Sequence, residues 1–172
     1  MKTIITTFAH GTTTDNENGI STGWNDALLS EMGIQQAQDL RGLIKNKHFD
    51  VVYHSDLIRA VNTARLALGE RDIPFYADKS LRECNYGDLN GGPVITVEPM
   101  YDECIEVPFP EGESLKDVEA RIADFLEKIK VKHPNQSVAI VSHKAPQLAI
   151  EVLIHEKTWE EAIATDWRKT KS

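Results

Sequence analysis

An unbroken apolar run at residues 138–141 (VAIV) places the strongest constraint on how this chain folds. Strands with one solvated face alternate apolar and polar residues, whereas a continuous apolar run is typical of a parallel strand covered on both faces. A shorter run at residues 51–53 (VVY) has the same character. Residues 3–8 are rich in Ile, Thr and Phe, and we predict that they form a third strand near the centre of the sheet.

Helical periodicity follows the first two strands. We predict that Ser30 caps a helix over about residues 31–45, and that Asp56 caps a second helix after the 51–53 strand. The predicted apolar stripe of the first helix is Ile34, Ala37, Leu40 and Ile44, and that of the second is Leu57, Ala60, Val61, Ala64 and Leu68.

The second half of the chain continues this alternation. Residues 73–76 (IPFY) are predicted as an edge strand, and residues 84–113 as mostly loop, because they hold four of the seven prolines and four of the ten glycines. Ser114 and Asp117 have the spacing of a capping box at the start of a third helix. Pro146 suits the first turn of the helix after the last strand. The stripe of the third helix is Leu115, Val118, Ile122, Phe125 and Ile129.

Strands that alternate with helices indicate an α/β fold, here a three-layer α/β/α sandwich with a mostly parallel central sheet. A chain of 172 residues is long enough to bury one sizeable core. The sequence shows no internal repeat and no linker, so we predict a single domain over residues 1–172.

Charge and hydropathy exclude several function classes. The chain has 19 Lys and Arg against 27 Asp and Glu, a net charge of −8, which disfavours nucleic acid or an anionic membrane as the main partner. A local cluster of cations in a cleft can still bind an anionic small molecule. No apolar run approaches the ~20 residues of a membrane span, and no signal peptide opens the sequence. The two cysteines, Cys84 and Cys104, do not form a disulfide framework, so we predict a reduced, cytoplasmic protein.

Polar residues suited to catalysis follow three of the predicted strands. They are His10 and Gly11 after the first strand, His54 after the second, and His143 and Lys144 after the last. Ligands of parallel α/β sheets bind outside the carboxyl ends of the strands, against helix N-termini. Arg59 lies one turn into the helix after the second strand, and the loop with Arg82 and Glu83 could join these polar residues at this edge. Each residue alone is commonly just a solvated side chain, but their convergence predicts a site for an oxyanion, and phosphate is the one we expect.

Motifs for other chemistries are absent from the sequence. There is no GxxxxGK[ST] or GxGxxG phosphate loop, and no GxSxG turn for a nucleophilic serine. Cys84 lacks the arginine six positions later that a cysteine phosphatase requires. No HExxH or CxxC accompanies the histidines, so we predict no metal site.

Several segments form a known pattern along nearly the whole chain. They are residues 8–16 (FAHGTTTDN), 22–37 (TGWNDALLSEMGIQQA), 52–64 (VYHSDLIRAVNTA), 81–87 (LRECNYG), 112–114 (GES) with Arg121, and 141–143 (VSH). In these segments, and in their order, the sequence resembles the histidine phosphatase superfamily, which has the phosphoglycerate-mutase-like fold.

The resemblance implies a role for each candidate residue. His10 would attack phosphorus to form a phosphohistidine, and Glu83 would protonate the leaving oxygen and then help to activate water. His143 would stabilise the transition state together with the phosphate-binding groups. The residues predicted to bind phosphate are Arg59, Asn16, Gly11, Thr22, Arg82 and Lys144. The resemblance implies no metal and no organic cofactor.

Three positions depart from the family pattern. Ala9 stands where the family has an arginine, and each charge-assisted hydrogen bond lost there would cost roughly 1.5–3 kcal/mol. Lys144 stands where glycine is frequent, and His54 where serine is common; His54 would either line the pocket or face solvent. We hypothesise that Lys144 or Arg82 replaces part of the positive charge missing at position 9.

Three functions stay open on the sequence. A phosphatase of a small phosphorylated metabolite is favoured; a phosphoglycerate mutase is the second, suggested by residues 85–91 (NYGDLNG), although family mutases are longer. The third is a catalytically weak relative that binds phosphorylated ligands, which Ala9 supports. Residues 91–111 are predicted to lid the cleft, with Glu98, Asp102, Glu103 and Glu106 facing water. The oligomeric state is open, with a homodimer as one option.

Overall fold

The computed structural model describes residues 2–170. Met1, Lys171 and Ser172 of the predicted 1–172 domain lie outside the described residues. The strands are β1 (Ile4–Ala9), β2 (Ile20–Ser21), β3 (Val51–His54), β4 (Phe75–Ala77), β5 (Gly92–Pro93) and β6 (Ser137–Ser142). The α-helices are α1 (Thr14–Glu17), α2 (Glu31–Leu43), α3 (Ile58–Leu68), α4 (Val94–Val97), α5 (Leu115–Lys132), α6 (Lys144–His155) and α7 (Trp159–Ala164). Short 3-10 helices cover Lys79–Leu81, Gly87–Leu89, Glu98–Met100 and Trp167–Thr170.

The main sheet is parallel, with strand order β1-β6-β3-β4, and β2 and β5 form a separate antiparallel ribbon. The apolar run at 138–141 lies in β6, an interior strand, and all four of its side chains are fully buried. β1 lies at an edge of the described sheet rather than near its centre, so that prediction is wrong. Its Ile and Thr residues suit any half-buried strand and do not distinguish an edge from a centre.

Side chains of the strands alternate between two cores. Val51, Tyr53 and Ile140 face the core formed with α5 and α6, whereas Val52 and Val141 face the core formed with α2 and α3. Helices therefore cover both faces of the mostly parallel sheet, which confirms the predicted three-layer architecture.

Three of the predicted helix starts are confirmed, and one is wrong. Pro146 lies in the first turn of α6. The Ser30 side chain accepts the backbone N–H of Gly33, and Ser114 and Asp117 form the predicted capping box. Asp56 does not cap α3, because that helix begins at Ile58 and the Asp56 carboxylate is bound to Arg82. The Asp26 carboxylate accepts the N–H of Ile58 instead.

The predicted stripe of α2 is also wrong at one position. Ile34 is 40% exposed, whereas Gly33 and Ala37 are the buried residues of this helix. A Cβ at Gly33 would lie 1.9 Å from the carbonyl oxygen of Thr12. The helix therefore turns its small residues toward the loop after β1, which brings the two backbones into contact.

Several short elements of the structure were not predicted from the sequence. α1, β2 and α7 were not predicted, and β5, α4 and two 3-10 helices lie within the segment predicted as mostly loop. These elements have six residues or fewer, too few for a clear hydrophobic period. Within residues 2–170, no helix has the length and hydropathy required to cross a bilayer.

Candidate active site

The register of the parallel sheet brings His10 and His143 together. Ala9 and Ser142, the last residues of β1 and β6, are paired, and the His10 backbone N–H donates to the Ser142 carbonyl at 3.1 Å. The next residues are the two histidines, whose ring centroids lie 5.0 Å apart. The convergence expected at the carboxyl ends of the strands is therefore present.

A cleft of about 290 Å³ opens above the two histidines. The predicted site residues that line it are His10, Asn16, Thr22, Arg59, Glu83, His143 and Lys144. Gly11 and Arg82 are not among the lining residues. The other lining residues include Tyr86 on one wall, Val94 and Glu98 from the predicted lid, and Trp167 and Arg168 from the last 3-10 helix.

The His10 ring is held in one tautomer. Its Nδ1 lies 2.7 Å from the carbonyl oxygen of Gly11, and a carbonyl can only accept, so Nδ1 carries the hydrogen. The lone pair of the neutral ring is then on Nε2, the atom free to act as a nucleophile. Burial, assisted by the charge of Arg59, lowers the pKa of His10 to about 4, so the ring is neutral at pH 7.

His143 is fully buried, and neither ring nitrogen has a hydrogen-bond partner among residues 2–170. An unsatisfied buried polar group is costly, which makes the ring available to a ligand in the cleft. Burial and then the charge of Arg59 lower the pKa of His143 well below its usual value. The ring can therefore offer one N–H to a bound oxyanion while staying neutral.

Arg59 supplies a fixed positive charge to the cleft. It is 2% exposed, and its guanidinium donates to the carbonyl of Asn25 at 2.9 Å and to that of Gly23 at 2.7 Å. Burial lowers the pKa of Arg59, with Glu83 acting in the opposite sense, but a guanidinium stays charged in proteins. These two bonds leave other guanidinium N–H groups to bind phosphate oxygens.

The Glu83 carboxylate lies against the start of α6. Oε1 accepts the backbone N–H groups of Cys84 at 2.9 Å and Ala145 at 3.0 Å, and Oε2 accepts that of Lys144 at 3.2 Å. The N-terminus of a helix carries partial positive charge and free N–H groups, so it binds a carboxylate well. Because His143 is the N-cap of the same helix, the acid and the second histidine are positioned by one element.

A second group of bonds fixes the main chain at Glu83. The Trp24 Nε1–H donates to the Glu83 carbonyl at 2.7 Å, and Arg121 Nη2 donates to the same oxygen at 3.0 Å. Arg121 also binds the carbonyls of Ser80 and Arg82 and the Glu113 carboxylate. Arg121 therefore ties α5 to the segment that presents the acid.

Asn16 and Thr22 line the cleft on its α1 side. Asn16 Oδ1 accepts the N–H of Thr13, so its NH₂ group is the donor it can offer to a ligand. Thr22 Oγ1 donates to Asp15 at 2.8 Å. Gly11, in contrast, donates its N–H to Thr63, and a Cβ there would lie 2.5 Å from the Gly33 carbonyl oxygen. The close approach that this glycine permits is to Gly33 rather than to a ligand.

Lys144 lines the cleft but is engaged by an acid of the lid. Its Nζ pairs with Glu98 and lies 3.9 Å from Asp166 Oδ2. Asp102, Glu103 and Glu106 are exposed as predicted, whereas Glu98 lines the cleft, which corrects the expectation that it faces water.

Arg82 and His54 depart from their predicted places. Arg82 Nε and Nη2 donate to the two Asp56 oxygens at 2.7 and 2.8 Å, and the guanidinium lies 4.8 Å from the Trp24 ring. A guanidinium held in this way outside the cleft does not replace the charge missing at position 9. His54 is 9% exposed, with Nδ1 bonded to the Ser55 carbonyl, so it neither lines the cleft nor faces solvent.

Arg168 was missed by the sequence reasoning. It lines the cleft, and its charge contributes to lowering the pKa of both His10 and His143. No motif marks it: it lies far from His10 in sequence, in a short 3-10 helix. Only its contact with Gln147 on α6 and its position on the cleft lining reveal its place.

Comparisons with known proteins agree with this geometry. The 2,3-bisphosphoglycerate-dependent phosphoglycerate mutase of Methylobacterium sp. (strain 4-46) is 35% identical over 138 residues, which cover 73% of this chain and 66% of the mutase. Fructose-2,6-bisphosphatase TIGAR of Xenopus tropicalis is 36% identical over 132 residues, covering 72% of this chain and 48% of that protein. The alpha-ribazole phosphatase structure from Shigella flexneri superposes with a TM-score of 0.80 at 28% identity, covering 92% of this chain and 82% of that one.

The family follows from the extent of the match. The chain spans about two thirds of the length of the mutase and about half of the bisphosphatase. The sequence profile of the histidine phosphatase superfamily (branch 1) matches residues 7–170, which include every candidate site residue described above. This chain belongs to the histidine phosphatase superfamily.

Proposed function

We propose that this protein hydrolyses a phosphate monoester through a phosphohistidine on His10. The observation that carries the proposal is the tautomer of His10, with Nδ1–H on the Gly11 carbonyl and the Nε2 lone pair free. That lone pair lies beside Arg59 and the unsatisfied ring of His143, in a cleft of about 290 Å³. A neutral imidazole next to fixed donors is the arrangement that phosphoryl transfer to histidine requires.

The proposed first step transfers the phosphoryl group. Nε2 of His10 attacks phosphorus, the bond from phosphorus to the ester oxygen breaks, and Glu83 acts as the general acid that gives a proton to the leaving oxygen. Arg59, His143 and the Asn16 amide bind the three other phosphoryl oxygens. In the second step a water molecule attacks phosphorus, Glu83 takes a proton from that water, and the Nε2–P bond breaks to release phosphate and His10.

A phosphatase is favoured over a mutase by the charges of the cleft. Lys144 is already paired with Glu98, and Glu83 and Glu98 add two carboxylates to the lining. A substrate with a second anionic group would meet Glu98 near the lid, whereas a monophosphate with a neutral or hydrogen-bonding remainder would not. We infer a small phosphorylated metabolite as substrate, a cytoplasmic location, and no nucleic-acid or membrane partner, in keeping with the net charge of −8. A homodimer is compatible with these proposals.

The mutase is kept as the second candidate because the Methylobacterium relative bears that name. Phosphatase relatives, the bisphosphatase TIGAR and the alpha-ribazole phosphatase, support hydrolysis. A binding protein without turnover is the third candidate, supported by Ala9 and by the engaged state of Lys144.

The test measures hydrolysis of p-nitrophenyl phosphate and phosphoglycerate mutase exchange side by side. We expect hydrolysis without exchange, and acid-labile labelling of the wild type that is lost in His10→Ala. Mutase exchange as the faster reaction would replace the proposal with the second candidate. Tight phosphate binding without turnover or labelling, across a panel of monoesters, would establish the third.

A further inference from the structure

Arg168 lies where two cavities meet. Besides the cleft, a larger cavity of about 750 Å³ runs along β1 between α2, α6 and α7. The two cavities share the lining residues Ala9, His10, Thr12, Trp167 and Arg168. Arg168 therefore lines the cleft that contains the proposed nucleophile, at its border with the larger cavity.

Two anchors orient the Arg168 guanidinium. Nη1 donates to Asp166 Oδ1 at 2.9 Å, and Nη2 donates to Gln147 Oε1 on α6. Asp166 and Gln147 are themselves buried, at 3% and 9% exposure, so both acceptors are fixed by their surroundings. A guanidinium has five N–H donors, so an arginine bound in this way can still bind a phosphate oxygen.

The other cations near the cleft are less suited to a second phosphate contact. Lys144 is paired with Glu98, and Arg82 is bound to Asp56 outside the cleft. Arg59 is already the first contact. Arg168 is also paired with a carboxylate, that of Asp166, but it is the remaining guanidinium on this lining, and bidentate guanidinium groups bind a phosphoryl group with about two negative charges best.

Ala9 borders the same space as Arg168. It is the last residue of β1 and lines both cavities, as Arg168 does. The position that lacks the family arginine and the arginine of the last 3-10 helix therefore line one space.

We propose that Arg168 is the second guanidinium that binds the phosphoryl group at His10, supplying from the 3-10 helix Trp167–Thr170 the charge that Ala9 lacks. The proposal rests on the proposed function, because it concerns the same phosphoryl site. It assigns the C-terminal part of the described chain a catalytic role in transition-state binding.

The test compares Arg168→Ala, Arg168→Lys and the matched control Arg41→Ala. Arg41 is a surface arginine paired with Glu70, and it does not line either cavity. The readouts are the Kd of inorganic phosphate and kcat/KM for p-nitrophenyl phosphate. Arg168→Ala loses one or two charge-assisted bonds. We therefore expect the Kd of phosphate to rise, and kcat/KM to fall, by roughly tenfold to hundredfold. We expect a smaller loss for Arg168→Lys, which keeps the charge but not the planar fork, and no change for Arg41→Ala.

A swap of the two positions gives the sharper result. Adding Ala9→Arg to Arg168→Ala should recover at least part of the lost phosphate affinity, because a guanidinium then returns to the same space from β1. Phosphate affinity and kcat/KM in Arg168→Ala equal to those in Arg41→Ala would overturn the proposal. If Arg168→Ala does not fold, as judged by circular dichroism, Arg168→Lys decides: an unchanged Kd and kcat/KM would overturn it.

The two proposals fail in different ways. If the wild-type protein neither hydrolyses esters nor becomes phosphorylated on His10, the proposed function is contradicted. The phosphate Kd of the Arg168 variants still tests the Arg168 contact in that case. A wild type that turns over while Arg168→Ala is unaffected contradicts only the inference about Arg168.

Discussion

The carbonyl oxygen of Gly11 lies 2.7 Å from Nδ1 of His10, and this bond decides which nitrogen of the ring carries the proton and which keeps the lone pair. The acceptor is a main-chain carbonyl, so any residue at position 11 could supply it. Glycine is needed there for another reason, since the Gly33 backbone occupies the space of a side chain. The carbonyl that holds the proposed nucleophile is thus itself placed by a close contact between the backbones of Gly11 and Gly33.

Gly11→Ala should therefore destabilise the fold. Its Cβ would lie 2.5 Å from the Gly33 carbonyl oxygen, and an overpacked backbone contact of this kind costs about 1–3 kcal/mol. Gly42→Ala is the matched control, because a Cβ at this position in α2 meets nothing within 4 Å. Ala is preferred over Gly in a helix by about 1 kcal/mol, so the control should be stabilised. Urea unfolding measures both, and equal effects would contradict the argument.

The lowered pKa of His10 predicts a pH dependence of activity. With a pKa of about 4 in the free enzyme, the nucleophile stays unprotonated through the mildly acidic range. Protonation of His10 should lower kcat/KM at acid pH. We expect the midpoint of this loss near pH 4 rather than near pH 6.5, the pKa of an unperturbed histidine. The profile is measured with p-nitrophenyl phosphate, with the pKa of the substrate taken into account. An activity loss centred near pH 6.5 and assigned to His10 by NMR titration would contradict this.

The same shift predicts a pH dependence of stability. Between pH 6.5 and 4 the unfolded chain binds a proton at His10 that the folded chain does not, so the free energy of unfolding falls as the pH falls through this window. The contribution is on the order of 3 kcal/mol, since one pKa unit corresponds to ~1.4 kcal/mol. His10→Gln should show a shallower decline. Parallel curves for the two proteins would show that His10 is not responsible.

Removal of the lid acid should strengthen phosphate binding. Glu98→Gln releases Lys144 from its partner and removes one negative charge from the cleft lining. We expect the Kd of inorganic phosphate to fall about threefold to tenfold at low ionic strength, and less in high salt because of screening. Glu103→Gln, at an exposed lid position, is the control for net charge. Equal effects of both substitutions would mean that only overall charge matters.

Arg121 should affect the rate more than binding. It binds the Glu83 carbonyl but does not line the cleft, so it acts on the acid through the main chain. Arg121→Lys should lower kcat about tenfold or more with little change in KM, because phosphate contacts are untouched. Lys130→Ala, in the exposed last turn of α5, is the control. A change confined to KM would argue against a positioning role.

Much of the site could be predicted because it depends on local sequence and on the parallel sheet. His10 and His143 directly follow strands, and parallel strands end at one edge, so their contact follows from topology alone. The same topology places Arg59 one turn into the helix after the second predicted strand, whereas the roles of Arg59 and Glu83 come from the family resemblance. The helix caps at Ser30 and Ser114 were predictable because their partners lie three residues away.

The predictions that were wrong, and the site residue that was missed, depend on contacts between segments that are distant in sequence. Asp56 has the spacing of a helix cap, but its carboxylate binds Arg82, which lies 26 residues later. Ile34 fits the apolar period, but the close contact of Gly33 with the loop after β1 sets the buried face of α2. No local sequence pattern marks Arg168, because its place depends on how the last 3-10 helix lies at the cleft that Ala9 also lines.

The position of Glu83 links acid chemistry to the start of α6. In the proposed mechanism Glu83 gives up and takes back a proton, and the same carboxylate accepts the N–H groups of Lys144 and Ala145. His143, the proposed ligand of the phosphoryl oxygens, is the N-cap of that helix. Under the proposal, proton transfer and phosphate binding therefore depend on a single turn of helix, so a substitution at the start of α6 should change both kcat and the Kd of phosphate.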